Sequence, residues 1–276
     1  MKKILVPTDF SPQAENALKV AAQLAKKHES EIYLLHMLEL PLNLIDQANS
    51  SSGGSLPEAL FFMKLAHKRF KEVMESDYLE GITVYETVQF HEAFDGIIEV
   101  AKENEVDLII MGSHGASGFK EMFIGSNTEK VVRTSNIPVL VIKNEHKQFN
   151  VDNFVFATDF SEECKEPFKR AIKFANSVGA NIHLLFINTA TNFMTTIEAN
   201  EVMEKFLMGV EIKKYSLNIY NDTTVEKGVL NYAQSIDADL IGMATHGRKG
   251  LSHFFNGSVS EDLVNHAKRP VITFKI

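Results

Sequence analysis

Short apolar runs alternate with longer stretches of helical periodicity along the whole chain. In the first half, runs rich in Ile, Val and Leu predict strands near residues 3–8, 31–38, 82–89, 107–112 and 138–143. The first stretch between them opens with Ser11 and Pro12, a capping hydroxyl followed by a proline suited to the first helical position. Apolar strands separated by helices indicate a parallel sheet covered on both faces. A ligand site of such a sheet is expected beyond the carboxyl ends of its strands.

The same pattern occurs a second time. Residues 4–11 return as residues 154–161, an offset of 150, and residues 111–115 return as residues 243–247, an offset of 132. Strands of the second copy are expected near residues 153–158, 181–188, 215–221, 239–244 and 270–275. The chain is therefore predicted to be an α/β tandem repeat of two doubly wound, five-stranded parallel sheets.

The two offsets also locate the difference between the copies. They differ by 150 minus 132, which predicts a net deletion of 18 residues in the second copy between Ile187 and Leu240. We assign one unit to residues 1–146 and the other to residues 150–276, with a polar linker over residues 144–152. A Ser- and Gly-rich stretch at residues 49–55 of the first copy predicts a mobile surface loop, with a lid over a ligand as the alternative.

The last strand of each copy carries a further expectation. Residues 139–142 and 271–274 are apolar and would lie at sheet edges, where unpaired backbone groups invite aggregation. We predict that these strands meet each other and make the chain a pseudo-dimer of its two units. Pairing of two chains into a homodimer, and the identity of any protein partner, are left open by the sequence.

Charge and composition exclude several classes of protein. The net charge of −8 argues against a general affinity for nucleic acid or for an anionic membrane surface. No apolar run approaches a membrane span, and the first residues are too short an apolar run for a signal peptide. The single cysteine, Cys164, excludes an intrachain disulfide and indicates a reducing compartment, so we predict a cytoplasmic protein. Cys164 aligns with Ala14 and is expected to be a small buried residue, with an exposed redox thiol as the alternative.

A glycine loop follows the fourth strand of the first copy. Residues 108–111 run into Gly112-Ser-His-Gly115, and nine residues later Gly125 and Ser126 open a helix. Glycines allow consecutive amides to approach one anion, and a helix start adds unpaired N–H groups and the positive end of its dipole. The arrangement predicts a phosphate site, although glycines that serve only turns and caps are the alternative. Its spacing is neither that of a Walker loop nor that of the dinucleotide fingerprint.

Other polar residues accompany this loop. Asp9 stands at the carboxyl end of the first strand and would either accept hydrogen bonds from ribose hydroxyls or cap the turn that follows; Asp159 holds the same place in the second copy. His114 is matched by His246 and is expected to fix the loop by a hydrogen bond, with acid-base chemistry as the alternative. His36 aligns with Phe186, so packing suffices to explain it. No His or Cys spacing predicts a metal site.

These motifs together resemble those of the universal stress protein family. The Pro7-Thr-Asp-Phe-Ser11 run, the Gly-x2-Gly-x9-Gly-Ser loop and a final Pro-Val-Leu-Val strand span nearly the whole chain as a tandem pair. The resemblance implies a Rossmann-like sheet of strand order 3-2-1-4-5 that binds ATP, or AMP or ADP, with or without magnesium. The first-copy residues that it implies at the nucleotide are Pro7, Thr8, Asp9, Met37, Gly112, His114, Gly115, Gly125, Ser126 and Asn127.

The second copy matches the family pattern less completely. Its matching residues are Thr158, Asp159, Ile187, Gly247, Gly257, Ser258 and Val259. Ala244 replaces the first loop glycine, and its methyl group is expected to crowd the ribose or to forbid a positive φ. Arg248 and Lys249 act in the opposite sense by adding positive charge beside the phosphates. Whether the second copy binds ligand is left open.

Three functions follow from this pattern. The first is a cytoplasmic, nucleotide-binding stress regulator that acts through conformation or partner binding. The second is a weak ATPase or nucleotidyl-transferring enzyme, but the sequence lacks His-x-Gly-His and Ser-Gly-Gly-x-Asp-Ser motifs, and no acidic cluster beyond Asp9 is placed to hold magnesium. The third is an interaction scaffold that needs no ligand. The intact first loop favours the regulator.

Overall fold

The protein is described by a computed structural model that covers residues 1–38, 56–90, 93–113, 125–245 and 257–276, with the backbone alone at 56–59 and 257–261. The first repeat contains β1 (Lys3–Pro7), α1 (Pro12–His28), β2 (Glu31–Met37), α2 (Leu56–Met74), a 3₁₀ turn (Asp77–Leu79), β3 (Val84–Gln89), α3 (Ala93–Glu103), β4 (Leu108–Gly112), α4 (Ser126–Thr134) and β5 (Val139–Ile142). The second contains β6 (Asn153–Ala157), a 3₁₀ turn (Glu162–Cys164), α5 (Lys165–Val178), β7 (Asn181–Asn188), α6 (Thr196–Leu207), β8 (Tyr215–Asn221), α7 (Val225–Ser235), β9 (Leu240–Thr245), α8 (Gly257–His266) and β10 (Val271–Lys275).

All ten of these strands form one sheet. Its order is β3-β2-β1-β4-β5-β10-β9-β6-β7-β8, so each half has the predicted order 3-2-1-4-5. Neighbouring strands are parallel within each half, whereas β5 and β10 pair antiparallel, with Leu140 opposite Ile272. The predicted meeting of the two last strands is confirmed, and it turns the two expected sheets into one continuous sheet.

Helices cover both faces of the sheet, as the apolar strands predict. Helices α1, α2, α5 and α6 pack on one face, where Phe70, Phe168 and Phe206 are buried in a single apolar cluster. Helices α3, α4, α7 and α8 pack on the other, around Ile97 and Val229. The carboxyl ends of β1, β2 and β4 meet at one edge of the first half.

The first helix begins where the sequence predicts. The Ser11 hydroxyl accepts a hydrogen bond from the Ala14 amide at 3.2 Å, and Pro12 occupies the first turn. In the second repeat, Ser161 makes no such cap, and the 3₁₀ turn at Glu162–Cys164 delays the start of α5 to Lys165. The two repeats therefore differ at the start of their first helix.

Part of the predicted deletion, seven of the 18 residues, lies in the helix after the second strand. Helix α2 has 19 residues and its counterpart α6 has 12. The predicted loop at residues 49–55 lies outside the described part of the chain. No described helix is both long and apolar enough to cross a membrane.

The linker between the repeats lies against α1. The Gln23 side chain donates to the His146 carbonyl at 3.0 Å and accepts from the Phe149 amide at 2.6 Å. Lys19 forms an ion pair with Glu145 at 3.2 Å. The segment that the sequence predicts as a polar linker is thus attached to the first repeat by side-chain contacts along its length.

Candidate functional site

A cleft of about 330 Å³ opens at the carboxyl ends of β1, β2 and β4. This position is the switch point of the first half, because the chain adds β2 on one side of β1 and β4 on the other. The volume lies within the range of small-molecule sites. Eight residues predicted from the sequence line it, namely Pro7, Thr8, Asp9, Met37, Gly112, Gly125, Ser126 and Asn127. The other two, His114 and Gly115, lie outside the described residues.

The loop after β1 is held in an unusual conformation. Its Thr8 amide donates to the Leu35 carbonyl at 2.8 Å, and the Thr8 hydroxyl accepts from the Phe10 amide at 3.0 Å. Phe10 has a φ of +61°, a left-handed conformation that a bulky side chain seldom adopts, and Phe160 repeats it at +59°. Such strain persists only where the surroundings impose it, and it is concentrated at functional sites.

Asp9 performs the capping role that the sequence allowed. Its Oδ1 accepts a hydrogen bond from the Ser11 amide at 3.0 Å. The same side chain is exposed and lines the cleft, so capping does not remove it from the site. A ligand hydroxyl in the cleft would meet a carboxylate whose orientation the turn already fixes.

His36 is a positioning residue that the sequence analysis missed. Its Nδ1 lies 2.8 Å from the Thr8 carbonyl oxygen, which accepts the hydrogen bond, and its ring centroid lies 4.7 Å from that of Phe10. The side chain therefore supports the strained loop from behind. The sequence does show a polar residue near the carboxyl end of an apolar strand, which could have indicated this role. Because His36 aligns with Phe186 of the second copy, packing alone suffices to explain it in the sequence.

Gly112 is required by packing against α1. A Cβ at this position would lie 2.8 Å from both the carbonyl carbon and the oxygen of Gln13, and 3.1 Å from the Ala14 nitrogen. Gly112 is not among the described residues with positive φ. Of the two effects expected of the Ala244 methyl group, the one through a positive φ is therefore excluded, because neither Gly112 nor Ala244 has a positive φ. The close approach of the α1 backbone is the physical constraint.

The second repeat accommodates a methyl group at the matching position. Ala244 is fully buried. The 3₁₀ turn at Glu162–Cys164 replaces the first α-helical turn that Gly112 contacts in the other repeat. The two repeats therefore differ both in the residue at this position and in the turn that begins the first helix.

The start of α4 faces the cleft without a side-chain cap. Gly125 is the N-cap residue and offers no side chain, while Ser126 and Asn127 line the cleft. The Gly125 amide donates to the Ser113 carbonyl at 2.8 Å, and the Thr128 hydroxyl donates to the Gly112 carbonyl at 3.0 Å. These bonds fix the helix start against β4. The first amides of a helix and the positive end of its dipole attract an anion.

The cleft carries little charge of its own. Asp9 is the one ionisable side chain among the described residues that line it. Among the same described ranges, no group of three or more His, Cys, Asp and Glu side chains could hold a metal ion. The described lining therefore offers amides, hydroxyls and one carboxylate, which are groups that suit the binding of a polar ligand.

Comparison with known proteins identifies the family. The model of the universal stress protein family matches residues 1–143 and again residues 150–275. The chain belongs to the universal stress protein family. Universal stress protein Slr1230 from Synechocystis is 24% identical over 297 residues, covering 100% of both chains. Universal stress protein MJ0577 from Methanocaldococcus jannaschii is 34% identical over 156 residues, which cover 52% of this chain and 96% of that protein.

The fold of a solved relative agrees with this assignment. A universal stress protein from Archaeoglobus fulgidus superposes with a TM-score of 0.76 at 23% identity, covering 99% of this chain and 98% of that one. This chain is thus a tandem universal stress protein with a Rossmann-like fold.

In the second universal stress protein repeat, two residues that match cleft residues of the first repeat are buried. Thr158 and Ile187 are each only 1% exposed, whereas their counterparts Thr8 and Met37 are partly exposed in the cleft. A Cβ at Gly228 would lie 2.7 Å from Ile187 Cγ2, so α7 packs directly on this residue. Gly247 lies outside the described residues. Gly257, Ser258 and Val259 begin α8, where the backbone alone is described.

The carboxylate of the second repeat is also engaged. Asp159 Oδ1 accepts hydrogen bonds from the Ser161 amide at 3.0 Å and from the Cys164 thiol at 3.2 Å. Cys164 is fully buried, as the sequence predicts. Burial, followed by the neighbouring Asp159 carboxylate, raises the pKa of the Cys164 thiol to about 12. The redox-sensor alternative is therefore not supported, because such a sensor needs an exposed thiolate.

Cys164 is expected to resist alkylation in the folded protein. Iodoacetamide should label it at neutral pH only after denaturation, because the thiol is both buried and protonated. Its folded pKa is raised from 9.0, so its contribution to stability is complete below about pH 9 and is lost as the pH rises towards 12. Denaturation series from pH 8 to 11 on the wild type and Cys164→Ala check this. Rapid labelling of the native protein would contradict it.

Proposed function

We propose that the first repeat binds one adenine nucleotide, ATP or its products ADP and AMP, and that the protein regulates a stress response through nucleotide-dependent conformation or partner binding. The observation that carries the proposal is the uncapped start of α4, which opens onto the same cleft as Asp9 and Met37. The division into units 1–146 and 150–276, and action in the cytoplasm, belong to the same proposal.

The cleft offers a suitable group for each part of a nucleotide. The phosphates would lie at the start of α4, where the amides after Gly125 and the Ser126 hydroxyl would donate to them. The ribose hydroxyls would donate to Asp9. The adenine would lie near Met37, a flexible and polarisable side chain that suits a flat ring. His114 and Gly115 are assigned to the phosphate side on the family pattern alone.

Magnesium would bind together with the nucleotide, and no set of protein side chains would bind it without the nucleotide. Because Asp9 is the one carboxylate in the described lining, the phosphate oxygens would supply most of the ligands. Hydrolysis is not favoured by any described residue, since the lining offers no second ionisable group. Occupancy, and not turnover, is thus the proposed signal.

The second repeat is proposed to bind no nucleotide. Its Thr158 and Ile187 are buried, and its Asp159 accepts a hydrogen bond from the Cys164 thiol that has no counterpart at Asp9, because Ala14 stands where Cys164 does. The repeat would then serve as the structural partner that completes the sheet through β10. An asymmetric protein with one ligand per chain results.

His36→Phe, which copies Phe186 of the second repeat, should weaken ATP binding. The variant keeps a ring beside Phe10 but loses the hydrogen bond to the Thr8 carbonyl, a loss of about 1 kcal/mol or roughly fivefold in Kd. Equilibrium dialysis with radiolabelled ATP measures the change. The matched control, Phe186→His, should leave ATP binding unaltered. If both variants weakened binding equally, His36 would have no specific role at the cleft of the first repeat.

Native mass spectrometry of the purified protein tests the proposal and names the nucleotide. The expected spectrum shows the chain with one added mass of ATP, ADP or AMP, or gains one such mass on incubation with ATP. A chain that retains no nucleotide and gains none at millimolar ATP would contradict the proposal.

A further inference from the structure

A second groove, of about 180 Å³, lies at the seam between the repeats. Its floor is apolar and includes Leu108 from β4 together with Phe174 and Phe274 from the second repeat, all three of which are buried. Arg170 and Lys173 of α5 stand at its rim. An apolar floor with a cationic rim suits an apolar group that is attached to an anion.

The internal symmetry of the chain supplies a counterpart of this groove. Asp107 Oδ2 accepts hydrogen bonds from the amides of Lys2 and Lys3 in the first repeat. Asp239 Oδ2 accepts them from the amides of Asp152 and Asn153 in the second. The acceptors are related by the offset of 132 and the donors by the offset of 150, so the two sets of bonds are equivalent in the two repeats. The groove at Asp107 therefore corresponds to the surface that lies beside Asp239, α1 and the end of β5.

The linker occupies that counterpart surface. The offset of 150 aligns Lys173 with Gln23, whose side chain holds the His146 carbonyl and the Phe149 amide. Phe149 packs against the apolar cluster of the core, and its ring lies edge-on to His146 at 5.7 Å between centroids. The molecule therefore already places a non-helical segment with an aromatic side chain on one of two equivalent surfaces.

The linker surface and the seam groove differ in which residue contacts the backbone that follows the last helix of a repeat. At the linker surface, Asn144 of the linker donates to the Lys268 carbonyl at 3.2 Å. At the seam groove, the matching carbonyl belongs to Asn136, and it accepts at 3.0 Å from Arg170 of α5 itself. At the seam groove a residue of α5 therefore makes the hydrogen bond that a linker residue makes at the counterpart surface.

Charge is the second difference between the two surfaces. Val20 and Gln23 at the linker surface are replaced by Arg170 and Lys173 at the seam groove. Lys173 has no ion pair or hydrogen bond with any residue in the described part of the chain. Asp107 is the one carboxylate in the groove lining, and its Oδ2 already accepts two amides. The rim can therefore receive an acidic group.

We propose that the seam groove binds a short non-helical peptide segment of a partner protein. The segment inserts one aromatic side chain against Met1 and Pro138, the partly exposed apolar residues of the groove lining, and places an acidic residue beside Arg170 and Lys173. The peptide takes the position that the linker takes on the counterpart surface. This gives the protein a partner site that is separate from the nucleotide cleft.

Fluorescence anisotropy with a labelled peptide tests the proposal on the full chain. The probe is Glu-Glu-Asp-Phe-Asn-Val with an amino-terminal fluorescein, whose last three residues copy residues 149–151 of the linker. At 0.15 M salt we expect saturable binding that weakens at least tenfold when the probe phenylalanine is changed to alanine. It should weaken similarly when its three acidic residues are changed to glutamine.

Two charge reversals on α5 provide the matched pair of protein variants. Lys173→Glu should weaken probe binding at least tenfold. Lys169→Glu, at an exposed position one turn away on α5 and outside the groove lining, should change it by less than threefold. Equal effects of the two variants would overturn the proposal, as would insensitivity to the probe phenylalanine or failure to bind at millimolar protein. Both variants are exposed, and unchanged melting temperatures confirm folding.

Discussion

Ser126→Asp is expected to weaken ATP binding by roughly 30- to 100-fold, about 2–3 kcal/mol, while leaving the protein at least as stable as the wild type. Ser126 is exposed at the first position of α4 and lines the cleft. A carboxylate there occupies the place of a phosphate and repels it. The same carboxylate favours the helix, because a negative charge suits the positive end of the helix dipole. Competition against a fluorescent ATP analogue measures the affinity, and thermal denaturation measures the stability.

The matched control is Ser258→Asp in the second repeat, at the same position of the repeat pattern. It should leave the affinity for ATP unaltered if the second repeat holds no nucleotide. If Ser258→Asp lost ATP binding, or if Ser126→Asp kept it, the phosphates would not lie at the start of α4.

Gly112→Val should destabilise the protein by about 3 kcal/mol and abolish ATP binding, since overpacking a rigid contact costs about 1–3 kcal/mol or more. The new Cβ would meet the Gln13 carbonyl group at 2.8 Å, and this neighbour is backbone that cannot rotate away. Relief requires α1 to move, and the Asp9 loop that precedes it would move as well. Urea denaturation followed by circular dichroism gives the free energy of unfolding.

The reverse change at the matching position of the second repeat provides the comparison. Ala244→Gly removes a buried methyl group that its surroundings already accommodate, so it should cost about 1 kcal/mol and leave ATP binding intact. A Gly112→Val protein with wild-type stability would show that the contact with α1 is not rigid.

The sequence predicted the fold well because the fold rests on local and repeated signals. Apolar runs, the Ser11 and Pro12 helix start and the two offsets were sufficient to predict ten strands and the meeting of β5 with β10. Eight residues expected at the ligand line one cleft, because parallel strands bring their carboxyl ends to a common edge.

The remaining features depend on contacts between distant segments. The support of the Thr8 carbonyl by His36 and the close approach of Gln13 to Gly112 arise only when β1, β2, β4 and α1 are assembled. The packing of α7 on Ile187, which is buried there, is likewise recorded by no motif in the sequence. The attachment of the linker to α1 could not be predicted either, because the polar composition of the linker resembles that of any exposed loop.

Isothermal titration calorimetry of the intact chain with ATP tests the central claim, that one repeat of this tandem protein is a nucleotide site and the other is not. We expect a single binding event with one ATP per chain, retained in Ser258→Asp and weakened at least 30-fold in Ser126→Asp. Two equivalent sites per chain, no binding at all, or unaltered binding in Ser126→Asp would contradict it.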